Sequence, residues 1–139
     1  SYQAKLFKVT GTAGTEISDY SKLPEGVWPD GWDHSPDWLT GNLTATGPKF
    51  TYAGEWVATK LQTLGITRVT FVVKSSSSSA DKLSNQQLQV EAYSERSGGW
   101  NVCTNVDVAS TSQMTEELTF GIEEDIRRLR FTALTRNRN

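Results

Sequence analysis

The sequence predicts an all-β protein built as an antiparallel β-sandwich, with one long irregular segment near the N-terminus. Several segments alternate apolar and polar residues with a period of two, which is typical of strands that are covered on one side only. Glycine, serine, threonine and asparagine are frequent, and long runs of strong helix formers are absent. Short turn-like segments separate the alternating patterns, which favours antiparallel neighbours.

The composition is that of an ordinary soluble domain, and it excludes several classes of function. The 139 residues suit one domain over 1–139, with 36% hydrophobic and 22% charged residues. A net charge of -2 argues against broad nucleic-acid binding, which needs a basic surface. One cysteine and one histidine exclude an internal disulfide, a cysteine-rich zinc site and a multi-histidine metal site. No apolar run approaches the length of a membrane span, so we expect no membrane insertion.

The predicted strands can be placed in order along the chain. The first covers Ala4 to Thr10, and the irregular segment then runs from Gly11 to Pro48, which is longer than a usual connection. Further strands are predicted over residues 49–53, 55–60, 67–74, 86–94, 100–108, 116–122 and 126–134. In the strand over 86–94 the inward side chains are Leu88, Val90 and Ala92. In the strand over 126–134 the inward side chains are Leu129, Phe131 and Ala133.

Two later strands carry expectations about single side chains. The strand over 100–108 is predicted to alternate Val102 and Val106 on one side with Cys103 on the other. We expect Cys103 to be buried and inert, because a buried free cysteine behaves as a small hydrophobic residue. In the strand over 116–122, Leu118 and Ile122 are expected to share one apolar face with Phe120.

Three connections between the strands have recognisable signals. Ser97-Gly98-Gly99 indicates a hairpin turn. The five serines over 75–79 predict a solvated tip with no packing role. Residues 123–125 indicate a turn, and the alternative of a short helix over 123–130, supported by charge pairs four residues apart, stays open.

Several motifs together resemble a known group of domains. They are Leu6 to Thr10 (LFKVT), Gly54 to Thr59 (GEWVAT), Arg68 to Lys74, Leu88 to Trp100 and Ile126 to Thr132. They resemble the jelly-roll domains of secreted and cell-surface proteins of Bacteroidetes-type bacteria (MAM-like, cleaved-adhesin and choice-of-anchor domains), which look like carbohydrate-binding modules. The resemblance spans most of the chain outside Gly11 to Pro48. It implies a jelly-roll connectivity, export, and recognition of glycans or surfaces more often than catalysis.

The resemblance also bears on cofactors. Relatives of this kind usually end with an acidic strand that helps bind a structural Ca²⁺, whereas this chain ends with the basic and polar run Thr135-Arg136-Asn137-Arg138-Asn139. No cofactor is predicted, and a structural Ca²⁺ stays an open alternative.

The long irregular segment holds three tryptophans beside acidic residues. A sugar ring stacks its C–H face on an indole, while carboxylates bond its hydroxyls, so this composition suits a glycan site. The candidate ligand-binding residues are Trp28, Trp32, Trp38, Asp33, His34 and Asp37. Two alternatives stay open. The indoles could cover one end of the core instead, and Asp30, Asp33 and Asp37 could hold Ca²⁺ with loop carbonyls.

A second candidate face follows from the polar side of two strands. If the strands over 86–94 and 126–134 lie together, their outward side chains form a polar stripe with one tyrosine. The residues of this face are Gln89, Glu91, Tyr93, Arg128 and Arg130. The alternative is a solvated face of cross-strand ion pairs, each worth at most about 1 kcal/mol. Trp56 and Trp100 are interpreted as packing residues.

Catalysis is not expected. Asp33-His34-Ser35 are adjacent in sequence, but a catalytic triad is defined by spatial geometry, and adjacent residues rarely point together. Asp30 and Asp37 could imitate a glycosidase pair, but any chain with 16 acidic residues offers such pairs by chance.

The sequence therefore favours a non-catalytic carbohydrate-binding module or surface-adhesion domain. We expect a secreted or cell-surface location, a glycan or cell-surface polysaccharide as partner, and a monomeric domain excised from a larger exported protein. The alternative is a structural or protein-interaction β-sandwich with no glycan ligand.

Overall fold

The computed structural model of the chain describes residues 4–12, 28, 30–36, 43–44 and 47–135. Most regular elements within these ranges are strands: β1 (Ala4–Thr12), β2 (Asp33–His34), β3 (Leu43–Thr44), β4 (Gly47–Pro48), β5 (Trp56–Ala58), β6 (Arg68–Ser75), β7 (Gln86–Ser94), β8 (Gly99–Asp107), β9 (Met114–Thr119) and β10 (Ile126–Thr135). The helical elements of the same ranges are α1 (Ala80–Asn85) and a 3-10 helix (Ile122–Glu124).

The longer strands form two antiparallel sheets. One sheet has the order β1-β6-β9 and the other the order β2-β5-β10-β7-β8, while β3 and β4 form a separate short pair. Core side chains come from both sheets, and Phe71 of the first meets Phe131 of the second edge to face at 5.2 Å between ring centroids. The predicted all-β antiparallel sandwich is confirmed, and its jelly-roll connectivity stays a prediction.

The alternation in β7 and β10 separates the core from the outer face as predicted. Every second residue of β7, from Gln86 to Ser94, is buried, and the residues between them are partly exposed. In β10, Leu129, Phe131 and Ala133 are buried. Because β10 lies between β5 and β7, it is covered on both edges and anchors the larger sheet.

The turns preceding and following these strands agree with the sequence. Residues 95–98 connect β7 to β8, and Gly98 adopts the left-handed conformation with a φ of 72° that favours glycine. The 3-10 helix ends at Glu124, and β10 then begins at Ile126. The strand is therefore confirmed, and the alternative helix over 123–130 is wrong.

A β-bulge changes the predicted side-chain directions in β8. Val90 pairs with Thr104 and Glu91 with Val102, which leaves Cys103 as the extra residue. Val102 therefore lies on the outer face beside Glu91, 58% exposed, rather than with Val106.

The burial expected for Cys103 is also wrong, because its side chain is exposed. Its sulfur is still partly desolvated, and this desolvation, followed by the negative charge of Glu124, raises the pKa of the thiol.

Three further expectations are corrected, and one helix was not predicted. Ser75 is buried and its hydroxyl accepts a hydrogen bond from Gln86 Nε2 at 3.0 Å, so the serine run does not begin as a solvated tip. The run ends at Ser79, directly before α1, and the sequence pattern did not predict this helix. The strand predicted over 49–53 is reduced to an isolated bridge between Lys49 and Lys5, and residues 52–54 form a turn. Ile122 is 66% exposed and does not join Leu118 against the core, because it begins the 3-10 helix.

Candidate ligand-binding face

The outward side of the five-stranded sheet collects aromatic rings and guanidinium groups. The pairing of β10 with β7 places Arg130 beside Glu91 and Arg128 beside Tyr93. The pairing of β7 with β8 places Tyr93 beside Trp100. Trp56 of β5 lies two strands from β7, opposite Thr132 of β10. We call this surface the aromatic–guanidinium face, and it consists of Trp56, Glu91, Tyr93, Trp100, Arg128 and Arg130.

An ion pair occupies the centre of the aromatic–guanidinium face. Arg130 Nε donates to Glu91 Oε1 at 2.9 Å, and Arg130 Nη2 donates to Glu91 Oε2 at 3.0 Å. The two side chains are 27% and 14% exposed, respectively. A bidentate pair of this kind fixes both side chains, because two parallel charge-assisted hydrogen bonds allow only one relative orientation.

Two indoles flank the guanidinium of that pair. The Arg130 Cζ atom lies 4.3 Å from the centroid of the Trp100 ring and 5.9 Å from that of Trp56. These distances are within the range of a cation–π attraction. The ion pair therefore helps to hold both partly exposed indoles in place on the outer surface.

The Tyr93 and Trp100 rings form an angled wall toward the hairpin end of the face. Their centroids are 5.5 Å apart, and their planes are inclined at 59°. Arg128 lies nearby, with its Cζ atom 6.0 Å from the Trp100 centroid. Its Nε donates to the carbonyl oxygen of Thr59 at 2.7 Å, which orients the rest of the guanidinium.

A small open pocket adjoins this wall. It has a volume of ≈ 240 Å³ and is lined by Leu61, Tyr93, Glu95, Trp100 and Arg128. The lining combines aromatic surface with one carboxylate and one guanidinium. Such a mixture can contact the apolar side of a ligand and also bond its polar groups.

Gln89 is the remaining residue of the second candidate face. Gln89 lies on the same outward side, between Thr132 of β10 and Asn105 of β8. All five residues predicted for this face therefore share one surface. Their ligand-binding role stays a prediction.

The described tryptophans of the irregular segment lie against the hydrophobic core and not on the aromatic–guanidinium face. Trp28 and Trp32 are partly buried and pack against the hydrophobic core. The Trp28 ring stacks on His34 with 4.7 Å between centroids and an interplanar angle of 19°. Asp33 is exposed, and its Oδ1 accepts a hydrogen bond from the His34 backbone N–H at 2.8 Å. Asp37 and Trp38 lie outside the described residues, so the loop site stays a prediction.

The contacts of Asp33, His34 and Ser35 are local ones. His34 Nδ1 lies 2.8 Å from the carbonyl oxygen of Ser35, and Ser35 Oγ accepts a hydrogen bond from the Trp56 backbone N–H at 3.1 Å. These side chains therefore bond the backbone at the β2–β5 edge, whereas a catalytic relay needs the serine hydroxyl on the imidazole.

Two features are absent from the described ranges. Within those ranges, no three histidine, cysteine, aspartate or glutamate side chains converge where they could hold a metal ion. No helix in the same part of the chain is both long and apolar enough to cross a membrane.

Trp56 and Trp100 are the residues of this face that the sequence interpretation missed. A usable signal was present for Trp100. Residues 95–98 form the hairpin connection, so counting outward from it pairs Ser94 with Gly99 and Tyr93 with Trp100. Since Tyr93 was predicted outward, this register places Trp100 outward as well. Trp56 had no such signal, because its neighbour β10 is distant in the chain.

The comparisons with known proteins return no relative. No protein-family model, curated protein or solved structure matches this chain. The geometry of the aromatic–guanidinium face is therefore the main indication of function.

Proposed function

We propose that this chain is a non-catalytic carbohydrate-binding module or surface-adhesion domain of an exported protein. The observation that carries the proposal is the grouping of three partly exposed aromatic rings and two guanidiniums on one outward sheet surface. Indole and phenol rings suit the C–H faces of sugars, and the adjacent charged groups suit their hydroxyls.

The rigidity of the face supports binding rather than general solvation. The bidentate Arg130–Glu91 pair fixes a guanidinium against Trp100, so this indole is ordered before any ligand arrives. A preordered side chain loses less conformational entropy on binding, which favours affinity. The local backbone contacts of His34 and Ser35 support a role without catalysis.

The alternative function is a structural or protein-interaction domain. It is favoured by the same ion pair, because Arg130 and Glu91 satisfy each other without a ligand. Under this alternative the aromatic rings would only cover the sheet, and no glycan would bind.

Replacing Trp100 distinguishes the two functions. In affinity electrophoresis and on a glycan array, Trp100→Ala should weaken retention by at least about tenfold, because a buried aromatic contact often dominates a binding site. Trp100→Phe keeps a ring and should retain part of the affinity.

The matched control is Tyr52→Ala, since Tyr52 is 53% exposed and lies near the Gln86 end of β7, away from the hairpin. This variant should bind like the wild type. Melting temperatures of all the variants exclude unfolding as a cause. Binding that survives Trp100→Ala, or no binding of any glycan by the wild type, would contradict the proposal.

A further inference from the structure

The pocket beside Tyr93 and Trp100 constrains the class of glycan. Its ≈ 240 Å³ volume lies below the usual range for drug-sized ligands and suits one sugar ring. The 59° inclination of Tyr93 and Trp100 makes a corner rather than a flat platform. A sugar ring placed in this corner would contact both Tyr93 and Trp100.

Arg130 is not the group that selects the charge of such a ligand. Its guanidinium is neutralised by two hydrogen bonds to Glu91, at 2.9 and 3.0 Å, and it lies against the Trp100 ring. An anion at this position would compete with an existing carboxylate in favourable bidentate geometry. Arg130 is therefore a positioning residue for Trp100.

The charges that line the pocket itself belong to Arg128 and Glu95. Among the described residues these two form no ion pair with each other or with another side chain. Arg128 is nevertheless held in place through its Nε bond to Thr59 O at 2.7 Å. One positive and one negative group thus line the same space.

We propose that the pocket binds one electrically neutral sugar ring, whose neighbouring hydroxyls bridge the Arg128 guanidinium and the Glu95 carboxylate. This inference rests on the proposed glycan-binding function. A hydroxyl can accept a hydrogen bond from Arg128 while its neighbour donates one to Glu95. A carboxylated or sulfated sugar would be attracted by Arg128 and repelled by Glu95. An amino sugar would be repelled by Arg128 and attracted by Glu95.

The test compares neutral oligosaccharides with the same backbones carrying a uronate or a sulfate group. The wild type should prefer the neutral members, and raising the salt concentration from about 50 to about 500 mM should leave their affinity nearly unchanged, because no net charge is neutralised. Glu95→Gln and Arg128→Gln should each weaken neutral binding about tenfold through loss of a charged hydrogen-bond partner.

Glu117→Gln and Arg68→Gln are matched controls, because both side chains are exposed on the three-stranded sheet. They should bind like the wild type.

The outcomes separate this inference from the proposed function. Tighter, salt-sensitive binding of acidic members, increased further by Glu95→Gln, would overturn the neutral-sugar inference and leave glycan binding intact. The neutral-sugar inference would also be overturned if Trp100→Ala abolished binding while Glu95→Gln and Arg128→Gln had no effect. Absence of wild-type binding to both panels would remove the proposed function itself.

Discussion

Phe131→Ala should lower the free energy of unfolding by about 3–5 kcal/mol, the usual range for removal of a fully buried phenylalanine. Phe131 is 0% exposed and lies in β10, paired with Val57 on one side and Val90 on the other. Its ring also meets Phe71 across the sandwich at 5.2 Å. The substitution therefore leaves a cavity where the two sheets meet. Urea denaturation followed by circular dichroism measures the change.

Two control variants test whether the loss of stability comes from removal of the buried ring. Tyr52→Ala removes an aromatic ring that is 53% exposed, and its effect should stay within about 0.5 kcal/mol. Phe131→Leu should cost less than Phe131→Ala, because it keeps most of the volume. A loss below about 1.5 kcal/mol for Phe131→Ala would contradict the packing of the two sheets on this pair.

Glu55→Ala should lower the free energy of unfolding by about 2–4 kcal/mol, because it removes the buried carboxylate that accepts two backbone hydrogen bonds. Glu55 is 1% exposed, and its Oε1 accepts hydrogen bonds from the N–H groups of Thr51 at 2.6 Å and Tyr52 at 2.9 Å. Its backbone carbonyl accepts from the N–H of Ala133 at 2.9 Å. The carboxylate therefore closes the turn that leads from Phe50 into β5.

Glu55→Gln is the matched control for this effect. The amide retains an oxygen that can accept from both N–H groups, so its cost should be smaller than that of alanine. Among the residues described here, Oε2 of Glu55 has no hydrogen-bond partner, so the amide nitrogen breaks no contact of that kind. Equal losses for the two variants, measured by the same denaturation, would show that the hydrogen bonds to Oε1 do not stabilise the turn.

The fold was largely predictable because its strands carry a simple period. Leu88, Val90, Leu129 and Phe131 alternate with polar residues, and this pattern alone assigns them to the core. The long segment over 11–48 was harder, because its described strands, β2, β3 and β4, are only two residues long. A two-residue strand has no period to detect, and its pairing is set by distant residues.

The candidate face was only partly predictable, because some of its residues are positioned by a bulge and by a long-range strand pairing. Arg128, Arg130 and Glu91 lie on strands with clear alternation, so their outward direction followed from the sequence. The outward direction of Val102 could not be predicted in this way, because the bulge at Cys103 shifts the register of β8 by one residue. The contact of Trp56 with Arg130 depends on the pairing of β5 with β10, residues more than seventy positions apart in the chain, and no local pattern encodes it.

Preorganisation links the fold to the proposed function. β10 supplies Phe131 to the core and Arg130 to the outer face at consecutive positions. The burial of Phe131 fixes the strand, and the fixed strand holds Arg130 where Glu91 and Trp100 meet it. The side chains of the outer face are therefore held in place before a ligand binds, which lowers the entropic cost of binding.

The most direct measurement of the central claim is a glycan titration followed through the tryptophan indole Nε1–H resonances, assigned with single Trp→Phe variants. If the aromatic–guanidinium face binds the ligand, the Trp100 resonance should shift most and that of Trp56 should follow, while those of Trp28 and Trp32 stay in place. Shifts confined to Trp28, Trp32 or Trp38 would contradict the account and favour the irregular segment as the binding site.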